Sequence, residues 1–258
     1  MKNKLNSILP PVVLVLIYFL IQLLLSKKIL NPYHIQILMF ACVNIMLTVS
    51  LNIVNGFTGQ FCIGHAGFMS LGAYGSAIIT TMLFGGMKMD PNLRIPVFLL
   101  SLLVGGILAA IVGFLIGLPT LKIKGDYLAI VTLAFGEIVR STLRLIEPIG
   151  AARGMIGIPK ITNLAWMFFF VMITLYITRN FVYSRYGRAS IAIRDNEIAA
   201  DAMGINTTRY KVIAFVFAAF IAGVAGGLYA HLMTFIQPDS FSFVKSNELL
   251  VYLYAGGS

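Results

Sequence analysis

Long apolar runs separated by brief polar punctuation set the pattern of this chain. A membrane-crossing helix takes roughly 20 residues, and runs near that length occupy residues 8–25, 35–54, 68–84, 95–118, 127–146, 164–177 and 212–233. An eighth begins at Leu249 and is cut off at Ser258, which reads as a chain truncated within a span. The run at 164–177 is short and borrows flanking residues such as Asn163 and Thr178, while Trp166 suits a membrane interface. The pattern predicts an all-α integral membrane protein, a polytopic helical bundle with about eight visible spans in a single domain covering residues 1–258.

Composition agrees with the pattern. Of 258 residues, 59% are hydrophobic and 11% charged, too little charge to cover a water-soluble domain of this size. The net charge of +10 therefore bears on membrane orientation and not on nucleic acid, since no aromatic-interleaved basic stripe accompanies it. The amino end is basic and leads into an apolar run, but bulky Gln22-Leu23-Leu24-Leu25 stands where a signal peptide would need small residues, so the run reads as a retained span. Cys42 and Cys62 lie in apolar surroundings and read as small core residues, not as a disulfide framework or metal ligands.

One stretch breaks the hydrocarbon. Residues 178–211 carry Arg179, Arg185, Arg188, Arg194, Arg209 and Lys211 against Asp195, Glu197 and Asp201. Within it a short helix is predicted, with Asp195 or Asn196 as N-cap, Glu197 in the first turn at the positive end of the dipole, and Gly204 as a left-handed stop followed by Ile205. About seven residues make a helix roughly 10 Å long, too short to persist alone in water. Thr207 or Thr208 is expected to cap the next helix. Placing 178–211 inside puts Lys2, Lys4, Lys122 and Lys124 on the same cytoplasmic face, with Lys27, Lys28, Lys88, Arg94, Arg153, Lys160 and Lys245 outside. The amino terminus is then cytoplasmic, provided the glycine-rich segment below is not re-entrant.

Glycines recur at 56, 59, 64, 67, 72 and 75. Each costs about 1 kcal/mol relative to alanine in a regular helix. Two arrangements accommodate them: close approach of helix backbones, or a broken helix whose freed backbone groups line a cavity. Gly59, Gly64, His65 and Gly67 are accordingly candidate translocation-path residues, with His65 also readable as a hydrogen-bonded structural histidine. Glu137 falls near mid-depth of run 127–146, with Arg140 at i+3 as its local partner. It is either a path residue or half of a structural pair. Soluble-enzyme chemistry is not encoded: there is no Gly-Lys-Ser/Thr phosphate loop, no HExxH, no paired metal-ligand cysteines and no nucleophile elbow.

Three blocks together resemble a known family. They are Leu51-Asn52-Ile53-Val54-Asn55-Gly56-Phe57-Thr58-Gly59-Gln60 with Gly64-His65-Ala66-Gly67-Phe68 and Leu71-Gly72-Ala73-Tyr74; then the run from Gly125-Asp126-Tyr127 to Gly136-Glu137-Ile138-Val139-Arg140; then Gly187-Arg188-Ala189 with Ala199-Ala200-Asp201-Ala202-Met203-Gly204-Ile205. This resembles the LivM-type permeases of branched-chain amino-acid ABC importers. The resemblance implies a non-catalytic transport subunit in a bacterial or archaeal plasma (inner) membrane. It implies a homologous LivH-type permease, two cytoplasmic ATPase subunits that bind the ATP and Mg, and an extracytoplasmic substrate-binding protein, all within membrane lipid. No cofactor is expected in this chain. It also implies that 178–211 holds a coupling helix that docks on the ATPase, with Arg188, Arg194, Asp195, Asn196, Glu197, Ala199, Ala200, Asp201 and Gly204 as its coupling residues. The family pattern of Glu-Ala-Ala, three residues, then Gly matches at Ala199, Ala200 and Gly204. The glutamate position is Ile198, and Glu197, one residue earlier, is turned about 100° around the helix. Leucine, isoleucine and valine are the implied substrates, with urea or short amides as the alternative within similar permeases. An ion-coupled secondary transporter using Glu137 and His65 is the competing class, and a membrane-embedded enzyme a more distant one.

Overall fold

The computed structural model describes residues 31–83, 91–121 and 127–256. The first apolar run and Lys2, Lys4, Lys27, Lys28, Lys88, Lys122 and Lys124 lie outside the described residues. Helix α1 spans Pro32–Asn52, opening on a proline whose missing N–H is one of the helix's unpaired donors in any case. It ends in a π-type turn, Ile53–Phe57. After an irregular passage at 58–64, α2 runs His65–Ile78 and closes in a second π-type turn, Ile79–Leu83. Helix α3 is Pro91–Thr120 and α4 is Tyr127–Leu145. Two 3₁₀ turns, Glu147–Ile149 and Ala151–Arg153, lead to a short strand β1, Met155–Ile156. Then follow α5, Leu164–Tyr183; α6, Arg185–Asp195; α7, Glu197–Ala202; and α8, Thr207–Met233. Strand β2, Phe235–Ile236, pairs antiparallel with β1 in the register Met155 to Ile236, before a 3₁₀ turn Pro238–Phe241 and α9, Phe243–Ala255.

Among the described residues, four helical stretches have the length and composition to cross a membrane: Pro32–Phe57, Leu93–Thr120, Leu164–Tyr183 and Thr207–Met233. The other three predicted runs are helical as well, but each departs from a plain span. Helix α2 has 14 residues, about 21 Å of rise, and relies on its π-type turn for more. Helix α4 carries Glu137, Arg140 and Arg144, and α9 has 13 residues.

Helix α8 is the axis on which the others register. Phe68 of α2 meets Phe215, Gly72 meets Gly223, and Thr80 hydrogen-bonds His231 at 3.1 Å, so α2 runs parallel to α8. Helix α3 runs the opposite way, with Phe98 beside His231 at one end and Gly117 beside Phe215 at the other. Phe40 of α1 faces Tyr229, and Phe181 of α5 stacks on Phe217, which makes both antiparallel to α8. The chain direction alternates from α1 to α2 to α3, so the glycine-rich passage joins two antiparallel helices.

Both sequence readings of the glycines hold, in different halves of the segment. From Gly67 onward they serve close packing. A Cβ at Gly72 would overlap the backbone of Gly223, one at Gly226 the carbonyl of Met69, and one at Gly105 the carbonyl of Gly72 at 2.6 Å. Helices α2, α3 and α8 thus touch backbone to backbone. This is the geometry that small residues permit where lipid supplies no hydrophobic driving force. Away from this contact α3 turns Leu99, Leu103, Ile107, Ile111, Phe114 and Leu118 outward, a stripe at helical spacing suited to hydrocarbon.

The glycine contact yields a paired test. Gly72→Ala is expected to lower thermal stability in detergent by about 1–3 kcal/mol through overpacking. At Gly75 the added Cβ meets its nearest neighbour at 3.5 Å, so Gly75→Ala is expected to be neutral or to gain up to about 1 kcal/mol of helix propensity. Equal melting behaviour of the two variants would contradict the backbone contact.

Candidate functional site

Between α1 and α2 the helical ladder stops, and every freed donor must find a partner because hydrocarbon offers none. Side chains from distant segments supply them. Thr58 Oγ1 donates to the carbonyl of Ile53 at 2.7 Å, and the Gln60 N–H reaches the carbonyl of Val54 at 3.0 Å. The Cys62 N–H is accepted by Asn55 Oδ1 at 3.2 Å, Ile63 N–H by Thr132 Oγ1 of α4 at 3.1 Å, and Ala66 N–H by Ser246 Oγ of α9 at 3.1 Å. Arg194 Nη1 of α6 donates to the carbonyl of Gly56 at 3.0 Å. Gly59 takes the left-handed conformation (φ +69°) with the stem of Arg194 lying against it.

Beside this break lies a cleft lined by Gly64, Gly67, Leu133, Gly136, Glu137, Phe241, Ser242, Phe243 and Ser246. Its free space, about 10 Å³, takes one water molecule at most. Its walls are glycine backbone and apolar side chains with one carboxylate. Glu137 is joined to Arg140 at 3.2 Å, both side chains partly exposed. A larger groove of about 230 Å³ lies between α3, α5 and α8, but apart from Thr174 its walls (Leu99, Leu103, Phe170, Phe220, Val224 among them) are apolar. We place the polar chemistry in the smaller cleft.

The structure brings Gly64, Gly67 and Glu137 together as expected, and sets Gly59 and His65 apart from them. His65 lies in the core with Nε2 2.7 Å from Ser50 Oγ, which also bonds the carbonyl of Leu47. Arg140 reaches Glu137 but does not line the cleft. Thr132, Gly136, Ser242 and Ser246 were not anticipated. For Ser246 the signal was the polar run Lys245-Ser246-Asn247-Glu248, hidden because the last span was drawn from Leu249 when the helix starts six residues earlier. Lys245, expected on the outer face, instead bonds Asn44 in the middle of α1 and Glu248.

At the end of the bundle where the break lies, the polar loop is more ordered than the sequence suggested. It begins at Ser184 and not at Thr178, because α5 continues to Tyr183 and buries Thr178. Helix α6 was not anticipated; Ser184 caps it, accepting from the N–H groups of Tyr186 and Gly187, and Arg188 projects from it into solvent. Helix α7 stands where the short capped helix was expected. Asn196 is the N-cap, its Oδ1 accepting from Ala199 N–H at 3.0 Å, while Asp195 instead pairs with Arg194. Gly204 at φ +83° stops it, with Gly204 N–H bonded to Asp201 and Ile205 N–H to Ala200, a Schellman closure. Ala200 is buried beneath the helix, Ala199 and Asp201 face outward, and Ile198 and Met203 are 77% and 83% exposed. Glu197 reaches back to Lys211 on α8 at 2.9 Å, so the one-residue offset noted above turns it toward the protein. Asn206, not Thr207 or Thr208, caps α8: its Oδ1 already accepts the Arg209 N–H at 3.0 Å.

Residues 33–254 match the family model described as branched-chain amino acid transport system / permease component. The chain belongs to this permease family. It is 33% identical over 258 residues to the high-affinity branched-chain amino acid transport system permease protein LivM of Escherichia coli (strain K12), and equally to that of Salmonella typhimurium. In both cases 86% of this chain and 58% of the relative are covered. The probable LivM of Methanocaldococcus jannaschii is 26% identical over 182 residues, covering 66% and 52%. The chain thus spans little more than half the length of these curated relatives. No solved structure matches it significantly. Within this permease, the family assignment and the apolar helices together establish a multi-pass membrane protein.

Loss of the α7 cap gives a local readout. Asn196→Ala is expected to cost about 1 kcal/mol. Amides of α7 should then exchange with solvent about five-fold faster while those of α8 keep their protection. Unchanged exchange in α7 would mean that the cap does not hold this helix.

Proposed function

We propose that this chain is a membrane-spanning permease subunit of an ATP-driven importer that moves leucine, isoleucine and valine across a prokaryotic inner membrane. It carries no catalytic site of its own. ATP and its Mg are bound and hydrolysed by two cytoplasmic ATPase subunits, and an extracytoplasmic binding protein delivers the substrate.

The observation that carries this reading is α7. A six-residue helix, capped at both ends, anchored by Ala200 and the Glu197–Lys211 pair, presents Ile198 and Met203 to solvent from an otherwise polar loop. A helix this short does not persist on its own, and the exposed apolar side chains near its two ends suit the groove of a partner protein. As it stands the cleft admits at most one water molecule; once opened, its glycine backbone, Leu133, Phe241 and Phe243 would meet a small aliphatic side chain and Glu137 an ammonium group. The path runs between this chain and a homologous permease. Partly exposed ion pairs at Glu137–Arg140 and Lys245–Glu248 are costly against hydrocarbon, which favours water or a second subunit on that face.

Two measurements test this. A cysteine replacing Ile198, in the chain purified with its neighbours, is expected to crosslink to a nucleotide-binding subunit. Labelling of that cysteine from outside intact cells, with no such adduct, would overturn the docking role. Glu137→Gln is expected to reduce uptake about ten-fold or more with normal expression, in line with loss of one charge-assisted contact. Unimpaired uptake would remove Glu137 from the path.

A further inference from the structure

We infer that Arg194 is a positioning strut that carries the displacement of the docking helix into the α1–α2 break, alongside the connection to α8. This rests on the reading of α7 as the docking helix.

Arg194 lies in the last turn of α6, two residues before the α7 N-cap. Its guanidinium is divided between two partners. Nη1 donates to the carbonyl of Gly56, and Nε and Nη2 approach Asp195 Oδ1 at 3.3 and 3.4 Å. A fixed planar fork can hold a backbone carbonyl and a carboxylate at once, which a lysine ammonium on a flexible stem does less well. The stem is also engaged: a Cβ at Gly59 would come within 2.8 Å of Arg194 Cγ, so the left-handed glycine makes room for it.

The two anchors of the docking helix lead to different places. Glu197 holds Lys211 at the base of α8, whose glycines are locked against α2 and α3. Arg194 holds Gly56, and the chain beyond it is bonded through Ile63 to Thr132 of α4 and through Ala66 to Ser246 of α9, both beside the cleft. The first anchor ends on close-packed backbone that resists deformation. The second ends on the π-type turn Ile53–Phe57, which leads directly into the irregular stretch 58–64, held in part by hydrogen bonds from side chains. A displacement of α7 against a fixed α8 therefore changes the geometry of the break first, and the cleft through it.

Coupling through such a chain of contacts needs a direct test. Cys62 sits buried inside the break, and Cys42 in α1 can be replaced by serine to leave it as the reporter. In the assembled transporter with its ATPase subunits, the rate of Cys62 alkylation by a membrane-permeant maleimide is compared between the resting and the ATP–vanadate-trapped states. The expected result is a change of about ten-fold on trapping in the parent, lost in Arg194→Gln and partly kept in Arg194→Lys, with uptake per ATP hydrolysed falling in the same order. An equal trapping response in Arg194→Gln, or none in the parent, overturns the strut. Co-purification of ATPase subunits with the parent chain is scored separately, so a failed docking assignment is distinguished from a failed strut. Should Arg194→Gln not accumulate, Gly59→Ala displaces the same stem and is read by the same alkylation.

Discussion

Backbone-to-backbone contact among α2, α3 and α8 is the constraint from which the rest of this protein follows. Lipid competes for apolar side chains as well as protein does, so helices in a membrane hold together by fit. Gly72, Gly105, Gly223 and Gly226 give that fit by omission of side chains. The buried polar links Ser76–Ser101 and Thr80–His231 then join α2 to α3 and α8 with directional bonds. The result is a unit with little freedom to shear, and α8 extends it to the loop end of the bundle, where Lys211 pairs with Glu197 of α7.

The candidate site is arranged at the margin of that unit. The break at 58–64 is the place where regular helix is given up; Asn55 and Thr132 meet donors of the break and Ser246 meets one in the first turn of α2, the last two from helices that also border the cleft. Such bonds are few and separately breakable, unlike a helical ladder. The charged pairs on α4 and α9 are partly exposed, and the exposed stripe of α3 is uniformly apolar.

The helices and the docking loop were legible in the sequence because their signals are local. Asn196 and Gly204 announce both ends of α7 through cap chemistry, and the hydropathy of 212–233 announces α8. What escaped was set by tertiary context. Residues 178–183 read as polar loop because Arg179 interrupts the hydropathy, yet they complete a regular helix, with Arg179 over the Tyr183 ring. The serines at 242 and 246 looked like an outer loop until α9 placed them against α2. The two glycine readings could not be separated from spacing alone, since close approach and a broken ladder call for the same residue. They proved to be neighbours, divided near Gly64. His65 drew attention for its chemistry, but its partner Ser50 lies one helix away and no pattern in the chain pairs them.

The most direct measurement is hydrogen–deuterium exchange on the assembled transporter, resting and trapped with ATP and vanadate. A fixed scaffold with a deformable break requires that amides of α2 beyond Gly67 and of the central turns of α8 exchange alike in both states, while those of residues 58–64 change. If the core of α8 gains or loses protection as much as the break does, the scaffold is not fixed, and the division of the molecule into a packed unit and a moving margin is wrong.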